Sequence, residues 1–363
     1  MDAREERKST AKELLACFSE AAGVPGHEGA VRQIFRERLA GIGEIAGDRI
    51  GSILVFKEGE GPEPRVLLDA HMDEVGFLVQ SVTPEGFLRM VPVGGWWGHV
   101  LAAQRVRVLA RRGEIPGVVA SVPPHFLKEG ERKLVRGVDE LFVDVGARNS
   151  EDIAGRLGIR PGDPIVPDSP FREMADPDLV TGKAFDDRAG CALVVHSLLE
   201  ASEHPGTLVG AGSVQEEVGC RGATTVVEVA APQVAIVLEG TPADDVPGAE
   251  SQGKQGCLGR GVQVRLYDPT MIAHRGLADF VLSVAEEEGI PHQLAVRTSG
   301  GTNASRIHLH RQGVPSIVLG VPVRYIHSHV SVLHMDDYLA ALELVLALVR
   351  RLDRRRVESL ASD

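Results

Sequence analysis

The stretch TGKAFDDRAGC, Thr181 to Cys191, sets two carboxylates side by side, Asp186 and Asp187, behind a Gly-containing loop and ahead of an apolar run, Ala189 to Leu199. An apolar run of that length after a polar junction predicts a helix. A carboxylate at such a junction can turn both oxygens outward and stand between two divalent cations, since zinc and the harder cations accept oxygen ligands. The same residues suit a helix cap, in which a side-chain oxygen accepts free N–H groups and the negative charge meets the helix dipole. Taken alone, the stretch favours the cap, because short motif matches are mostly false positives. The choice turns on the company it keeps: His71, Glu216, Glu217, Glu239 and His327.

On the carboxyl side of this stretch, strand-like and helix-like runs alternate. Residues 207–214, 233–238 and 315–320 read as short strands, 222–230, 275–288 and 336–351 as helices, with further β-prone runs at 261–267 and 292–297. On the amino side, Thr10 and Glu13 have capping-box spacing before Leu14, Leu15 and Phe18, which predicts a first helix from near residue 10, stopped by Gly23 and Pro25. A second helix begins near His27, with Val31, Ile34, Phe35 and Leu39 on one face. Asp48 to Phe56 reads as a strand, and Val66 to Ala70 as a buried parallel-type strand that runs straight into His71. A histidine just past the carboxyl end of such a strand is where open α/β sheets hold their ligands.

Between Glu74 and Asp168 the pattern changes. Runs such as FLVQSV, QRVRVLA, GVVASV and LFVDVG are separated by Gly and Pro turns, with no long amphipathic helix. The expectation is a catalytic α/β domain built from residues 1–73 and 169–363, interrupted by a small β-rich domain at 74–168. A chain of 363 residues is long enough for that division, because single cores stop growing near ~250–300 residues.

Composition narrows the function. A formal net charge of −12, spread along the chain, argues against phosphate-backbone binding, so nucleic acid is not an expected partner. The four cysteines, Cys17, Cys191, Cys220 and Cys257, form no CxxC pair, which argues against a zinc ribbon or disulfide framework and fits a reducing compartment. MDAREERKST lacks an apolar leader, and LAALELVLALV near the other end is short and interrupted by Glu343. A cytoplasmic protein without a membrane span is expected.

His71 and Asp73 share one side of an extended chain, because strand side chains alternate. His71 can then offer one ring nitrogen to a metal while Asp73 holds the other N–H. SVQEEVGCRG, Ser213 to Gly222, presents Glu216 and Glu217 as neighbours after an apolar strand. Inside a strand, one of them would point into the core as an unpaired carboxylate, at a cost. At a strand end leading into Gly219 both can face one cavity, one as a ligand and the other as a general base toward water. Glu239 closes QVAIVLEG with no Lys or Arg near it in sequence and needs a cation. In VRYIHSHVSVLH, spacing does not choose between His327 and His329. Ligand-type residues at the ends of several apolar strands are the arrangement of cocatalytic metal sites.

These motifs carry a resemblance to a known family. AHMDEVGF, GKAFDDRAG, QEEVGCRGA, LEGTPADD, DPTMIAH, SGGTNASRIH and RYIHS, with PPHF and DELFVDVGARNSED in the inserted stretch, resemble the TET (tetrahedral) dinuclear metallo-aminopeptidases of the glutamyl and deblocking type. The resemblance spans nearly the whole chain. It implies an α/β fold, with a mixed-sheet, zinc-peptidase-like catalytic domain and an inserted β-rich dimerisation domain of PDZ-like or β-barrel form. It implies His71, Asp186, Glu217, Glu239 and His327 as metal ligands, with Asp186 bridging, His71 and Glu239 on one ion, and Glu217 and His327 on the other. Glu216 becomes the general base, Asp73 joins the catalytic set, His327 is preferred over His329, and a cis peptide follows Asp186. Two divalent ions per subunit are implied, zinc first and cobalt or manganese as alternatives, in dimers that commonly assemble into a hollow dodecamer. Three positions depart from the family pattern: Glu239 and Asn303 stand where Asp is frequent, and His329 replaces a proline. Asn303 thereby puts in question a role for its position in holding a substrate ammonium.

The expected activity is removal of N-terminal residues from short peptides by water activated between two ions, with Glu216 taking its proton. A cellulase or endoglucanase-type glycosidase is one alternative, but its acids must flank a bond ~5–9.5 Å apart. Adjacent Glu216 and Glu217 are badly placed for that, and two Trp and three Tyr offer few sugar platforms. A non-catalytic oligomeric scaffold is the other, and its drift should have erased a ligand. A pocket for acidic N-terminal side chains needs an Arg or Lys, which spacing does not single out.

Overall fold

Four apolar strands make the parallel centre of the molecule: Thr207–Ser213, Arg65–His71, Val234–Pro242 and Ser316–Arg324, side by side in that order. They are buried almost throughout, as befits strands covered on both faces. In the computed structural model, which describes residues 3–249 and 253–360, antiparallel strands extend this centre on both flanks into a mixed sheet of 12 strands. Register aligns the strand ends. Ser213 lies opposite His71, Val237 opposite Asp69, and Glu239 opposite Gly320. Segments far apart in sequence therefore finish at one edge, and the residues just beyond their ends face a common space.

The helix Phe185–Glu200 packs over the strands that carry His71 and Glu239, and against the helices Ala3–Glu20 and Met335–Arg351. From Asp187 to Leu198 every residue of it is buried, so it is apolar on all sides rather than amphipathic. This helix is what presses the Asp186–Asp187 junction against the strand ends.

Two local expectations are corrected. The first helix runs from Ala3, well ahead of residue 10, because the Ala, Arg, Glu and Lys of AREERK are all good helix formers. Arg7 pairs with Glu200 at 2.8 Å and Lys8 with Asp178, which holds the extra turns down. Thr10 is thus inside the helix, and Met1 and Asp2 lie outside the described residues. The single strand expected over 48–56 is a hairpin, Glu44–Gly47 with Ile53–Lys57. Asp48 makes the turn: its Oδ1 accepts the N–H groups of Ile50, Gly51 and Ser52 at 3.0, 2.7 and 2.8 Å.

The strands Gly76–Val82, Leu88–Val93, Phe142–Asp144, Gly113–Ala120, Arg105–Ala110 and Pro164–Pro167 close into an antiparallel barrel. Closure removes sheet edges. The barrel has its own core, with Phe77, Leu88, Met90, Val106, Val143 and Ile165 among its fully or nearly buried members. Just past the strand Leu88–Val93, the Trp96 ring stacks on Phe77 at 4.8 Å and its indole N–H donates to the Gly76 carbonyl at 3.1 Å. That contact fixes the segment Gly94–Trp96. No described helix is long and apolar enough to cross a membrane.

Candidate metal centre

The two aspartates of the opening stretch divide the two roles between them. The peptide between Asp186 and Asp187 is cis, and neither residue has helical backbone angles. Asp187 turns inward. Its Oδ1 accepts the N–H groups of Gly190 and Gly240, each at 2.9 Å, and its Oδ2 that of His71 at 3.1 Å. Gly190 permits this, since a Cβ there would collide with the Asp187 carboxylate. Asp187 is therefore the cap, and it also ties the helix to two strand ends. Asp186 turns outward, with Oδ1 3.0 Å from His71 Nε2 and Oδ2 3.3 Å from His327 Nε2.

Both imidazoles are aimed from behind. His71 Nδ1 lies 3.0 Å from the Asp73 carbonyl oxygen, and His327 Nδ1 lies 2.9 Å from the Gly95 carbonyl oxygen. A carbonyl can only accept, so each Nδ1 carries a hydrogen, and each Nε2 is the ring atom turned to Asp186, protonated in the absence of a metal and free to ligate one once that proton leaves. For His71 the expected partner was the Asp73 carboxylate, which stands farther off at 3.5 Å. That carboxylate is engaged elsewhere: Oδ1 accepts the backbone N–H of Glu216 at 2.9 Å and Oδ2 that of Glu217 at 3.0 Å.

The turn after Ser213 brings both glutamates to the cavity. Glu217 Oε1 lies 3.4 Å from His327 Nε2, while Glu216 Oε2 lies 4.0 Å from His71 Nε2 and its Oε1 accepts the Cys220 thiol at 3.2 Å. Glu239 comes from within its strand, not just past it, and places Oε2 3.8 Å from His71 Nε2. His71, Asp186 and Glu217 bring ligand-type atoms within 4.8 Å of one another. Ala184, Gln215, Cys220, Tyr325 and His327 all adopt left-handed backbone, so strain collects around the residues that face the cavity.

Burial governs the charges here. It pushes the carboxyls of Glu217 and Glu239 well above the usual carboxylate range, with Asp186 and Asp187 respectively adding to the push, and it raises Glu216. For the imidazoles, burial opposes the proton but Asp186 prevails, lifting His71 well above its ordinary value and His327 to about 9. Among the described residues, no Lys or Arg pairs with Asp186, Glu216, Glu217 or Glu239. Acids gathered out of water without a resident cation call for one. Carboxylates with inward Nε2 atoms are a donor set that suits zinc, cobalt or manganese.

The cavity encloses about 600 Å³, and its walls continue past the cluster to Arg265 and the loop Ser299–Thr302. Arg265 was not singled out in the sequence, although a charge inside the buried strand Val262–Asp268 was a signal. Asn303 is buried behind that loop and turned away from the cavity, its amide donating to Asp69 Oδ2 at 2.8 Å and Ser213 Oγ at 2.6 Å. His329 is buried beside Trp96, and burial lowers its pKa to about 4. Beneath the centre, Glu74 receives Lys183 Nζ at 2.6 Å and Arg188 Nη2 at 3.2 Å, all three buried, while Arg188 also donates to the Phe18 carbonyl at 2.7 Å. Sequence reasoning missed this triad too.

A mixed α/β sheet whose strand ends gather imidazoles and carboxylates around one outward aspartate defines a metal-dependent hydrolase. Residues 51–344 match the family model of the M42 glutamyl aminopeptidases. The chain belongs to this M42 family of aminopeptidases, which are metallopeptidases. It is 34% identical over 349 residues to the glutamyl aminopeptidase of Lactococcus lactis subsp. cremoris, covering 94% of this chain and 97% of that one. Among solved structures, the TET aminopeptidase of a marine sediment archaeon of the Thaumarchaeota matches with a TM-score of 0.93 at 41% identity, covering 97% of this chain and 99% of that one. The Pyrococcus horikoshii TET1 peptidase, which can assemble into a tetrahedron or a large octahedral shell, matches with a TM-score of 0.83 at 31% identity, covering 94% and 100%. The mixed sheet with its inserted barrel is the fold of these peptidases.

Proposed function

We propose that this chain removes N-terminal residues, acidic ones foremost, from short peptides at a centre of two divalent ions. His71 and Glu239 would hold one ion and Glu217 and His327 the other, with Asp186 offering an oxygen to each. The observation that carries this reading is the split of Asp186, one oxygen toward each imidazole. Asp187 is left out of the set because three backbone N–H groups already occupy it.

When bound, the ions supply Lewis acidity to the scissile carbonyl and a lowered pKa to water, with zinc the first choice and cobalt or manganese compatible with the same donors. Glu216, outside the ligand set, takes the proton of the attacking water and returns one to the leaving amine. The upward push of burial on its carboxyl brings it toward the pKa such a shuttle needs near neutral pH. Asp73 positions that base through the backbone, without touching the substrate.

The acid preference rests on Arg265. Its side chain is 5% exposed, and its guanidinium has one long contact, Nη1 to Asp268 Oδ2 at 3.4 Å, with Nε unpartnered. A buried guanidinium with donors to spare fits a carboxylate in the same cavity. The name of the Lactococcus lactis relative agrees with that choice. Residues 74–168 are read as the dimerisation domain between catalytic segments 1–73 and 169–363, and dimers as the unit of a closed homo-oligomer such as a dodecamer. Four free cysteines suit a cytoplasmic setting.

The test is to restore zinc, cobalt or manganese to chelator-treated protein and assay an arylamide of every amino acid. Turnover of Glu and Asp arylamides that returns only with metal is expected. Hydrolysis that persists after exhaustive chelation, or β-glucan cleavage without peptide cleavage, would refute the reading.

A further inference from the structure

Behind the loop that walls the catalytic cavity, three chain segments meet at one amide. Asn303 directly follows Ser299–Thr302, and its Nδ2 lies 2.8 Å from Asp69 Oδ2 and 2.6 Å from Ser213 Oγ. All three residues are fully buried. Asp69 stands two residues before His71 on its strand, and Ser213 ends the neighbouring strand, three residues before Glu216. One side chain therefore fastens the loop to both strands that lead into the metal centre and its base.

The chemistry of the partners leaves little choice at position 303. An ionised carboxylate only accepts hydrogen bonds. Ser213 has one hydrogen, and it goes to an acceptor, the Ala70 carbonyl at 3.2 Å or Asp69 itself. Both atoms that face Asn303 thus ask for a hydrogen, and an amide nitrogen carries two. Asn303 opens the single helical turn Ala304–Ile307, yet its side chain makes no cap there. Thr302 Oγ1 fills that role, accepting the Ala304 N–H at 3.2 Å. The Asn303 amide is committed to the sheet instead. From the other side, Gly301 passes so near Thr270 that a Cβ would meet that side chain at 2.9 Å. The loop is gripped on both sides.

We propose that Asn303 is a positioning residue and Asp69 its matched partner: the pair sets where the Ser299–Thr302 loop stands, and so how tightly the cavity holds a peptide, without touching the peptide or the reacting atoms. The inference rests on the aminopeptidase reading of this cavity. The loop carries neither a proposed ligand nor the base, so what it contributes is binding. Binding that is equal before and during reaction shows in KM and spares kcat.

Asn303→Asp sets two carboxylates against each other in a place closed to water. The zinc-loaded variant is followed by kinetics with glutamyl arylamide and by hydrogen–deuterium exchange of residues 299–308, where the N–H groups of Ser305, Arg306 and Ile307 bond back to Thr302 and Asn303. A KM ~10–100-fold higher with kcat nearly unchanged, and exchange of that segment faster by a like factor, are expected, the worth of a charge-assisted hydrogen bond. Zinc content stays at the parent level. Combining Asp69→Asn with Asn303→Asp sets an amide against a carboxylate again and lets the Ser213 hydrogen turn to the new acceptor. KM and exchange then return toward the parent values. Should Asn303→Asp not accumulate, Asn303→Ala removes the amide without adding charge and gives the same two shifts in smaller measure.

A combined variant no better than Asn303→Asp alone, or a segment that exchanges at the parent rate in the single variants, overturns the proposal. So does a fall in kcat at constant KM, which would make Asn303 a support of the metal centre instead. In a parent protein that hydrolyses no arylamide, faster exchange in the single variant and its reversal in the combined one support the pair and remove the activity reading.

Discussion

The carboxylate of Asp73 holds Glu216 by its backbone N–H at 2.9 Å, across 143 residues of sequence. Its second oxygen holds Glu217 in the same way, so one buried acid sets the turn that separates base from ligand. Asp73→Asn leaves one acceptor where there were two, and one N–H unpaired. Metal content is expected to hold while kcat falls ~10–100-fold, the usual range for such supporting contacts. An unchanged kcat would show that the turn holds itself.

Glu216→Gln keeps shape and backbone but cannot carry a proton. Activity is expected to fall ~10²–10⁴-fold with both ions retained by elemental analysis. A variant that loses metal together with activity would place Glu216 among the ligands.

Metal uptake competes with protons. In the metal-free protein His327 holds its proton up to about 9 and His71 is raised as well, so below that pH an ion must displace them. Affinity is therefore expected to weaken as pH is lowered, with about one or more protons released per centre near neutral pH. Calorimetry in two buffers of different ionisation enthalpy counts them. No difference between buffers would contradict the expectation.

Arg265→Glu reverses the charge opposite the N-terminal side chain. Glutamyl arylamide should lose ~10–100-fold in kcat/KM, the worth of a charged hydrogen bond, while lysyl arylamide gains. Equal losses for glutamyl and leucyl arylamides would assign Arg265 a purely structural role.

Lys183→Met tests the ground under the site. Glu74 then keeps Arg188 as its one cation, at the longer distance of 3.2 Å, beside the Gly23 N–H at 3.1 Å, in a place closed to water. Breaking a buried ion pair from one side costs ~3–5 kcal/mol, read as a lower denaturant midpoint. A midpoint within error of the parent would mean that Arg188 suffices.

The central sheet and its acidic rim were legible in the sequence, because a carboxylate or imidazole that ends an apolar run stands out from its neighbours. Glu216, Glu217, Glu239 and the segment holding His327 were singled out in this way, and Asp186 as one of a carboxylate pair ahead of an apolar run; the fold brings them to one cavity. The Asp73 contact was read as carboxylate to imidazole, whereas the carbonyl serves His71, because spacing fixes the side of the chain and not the atom. Glu74, Lys183 and Arg188 escaped notice since each looks like a surface charge until the fold removes water from all three. The early start of the first helix was hidden by a cap signal at Thr10 that favourable residues upstream overrode.

Gly95 carries a consequence out of proportion to its size. Its carbonyl steers the His327 ring, yet the glycine is anchored two residues past a barrel strand, in the segment Trp96 pins to Phe77. The ring that faces Asp186 therefore takes its bearing from the inserted barrel, although the histidine itself follows a strand of the sheet.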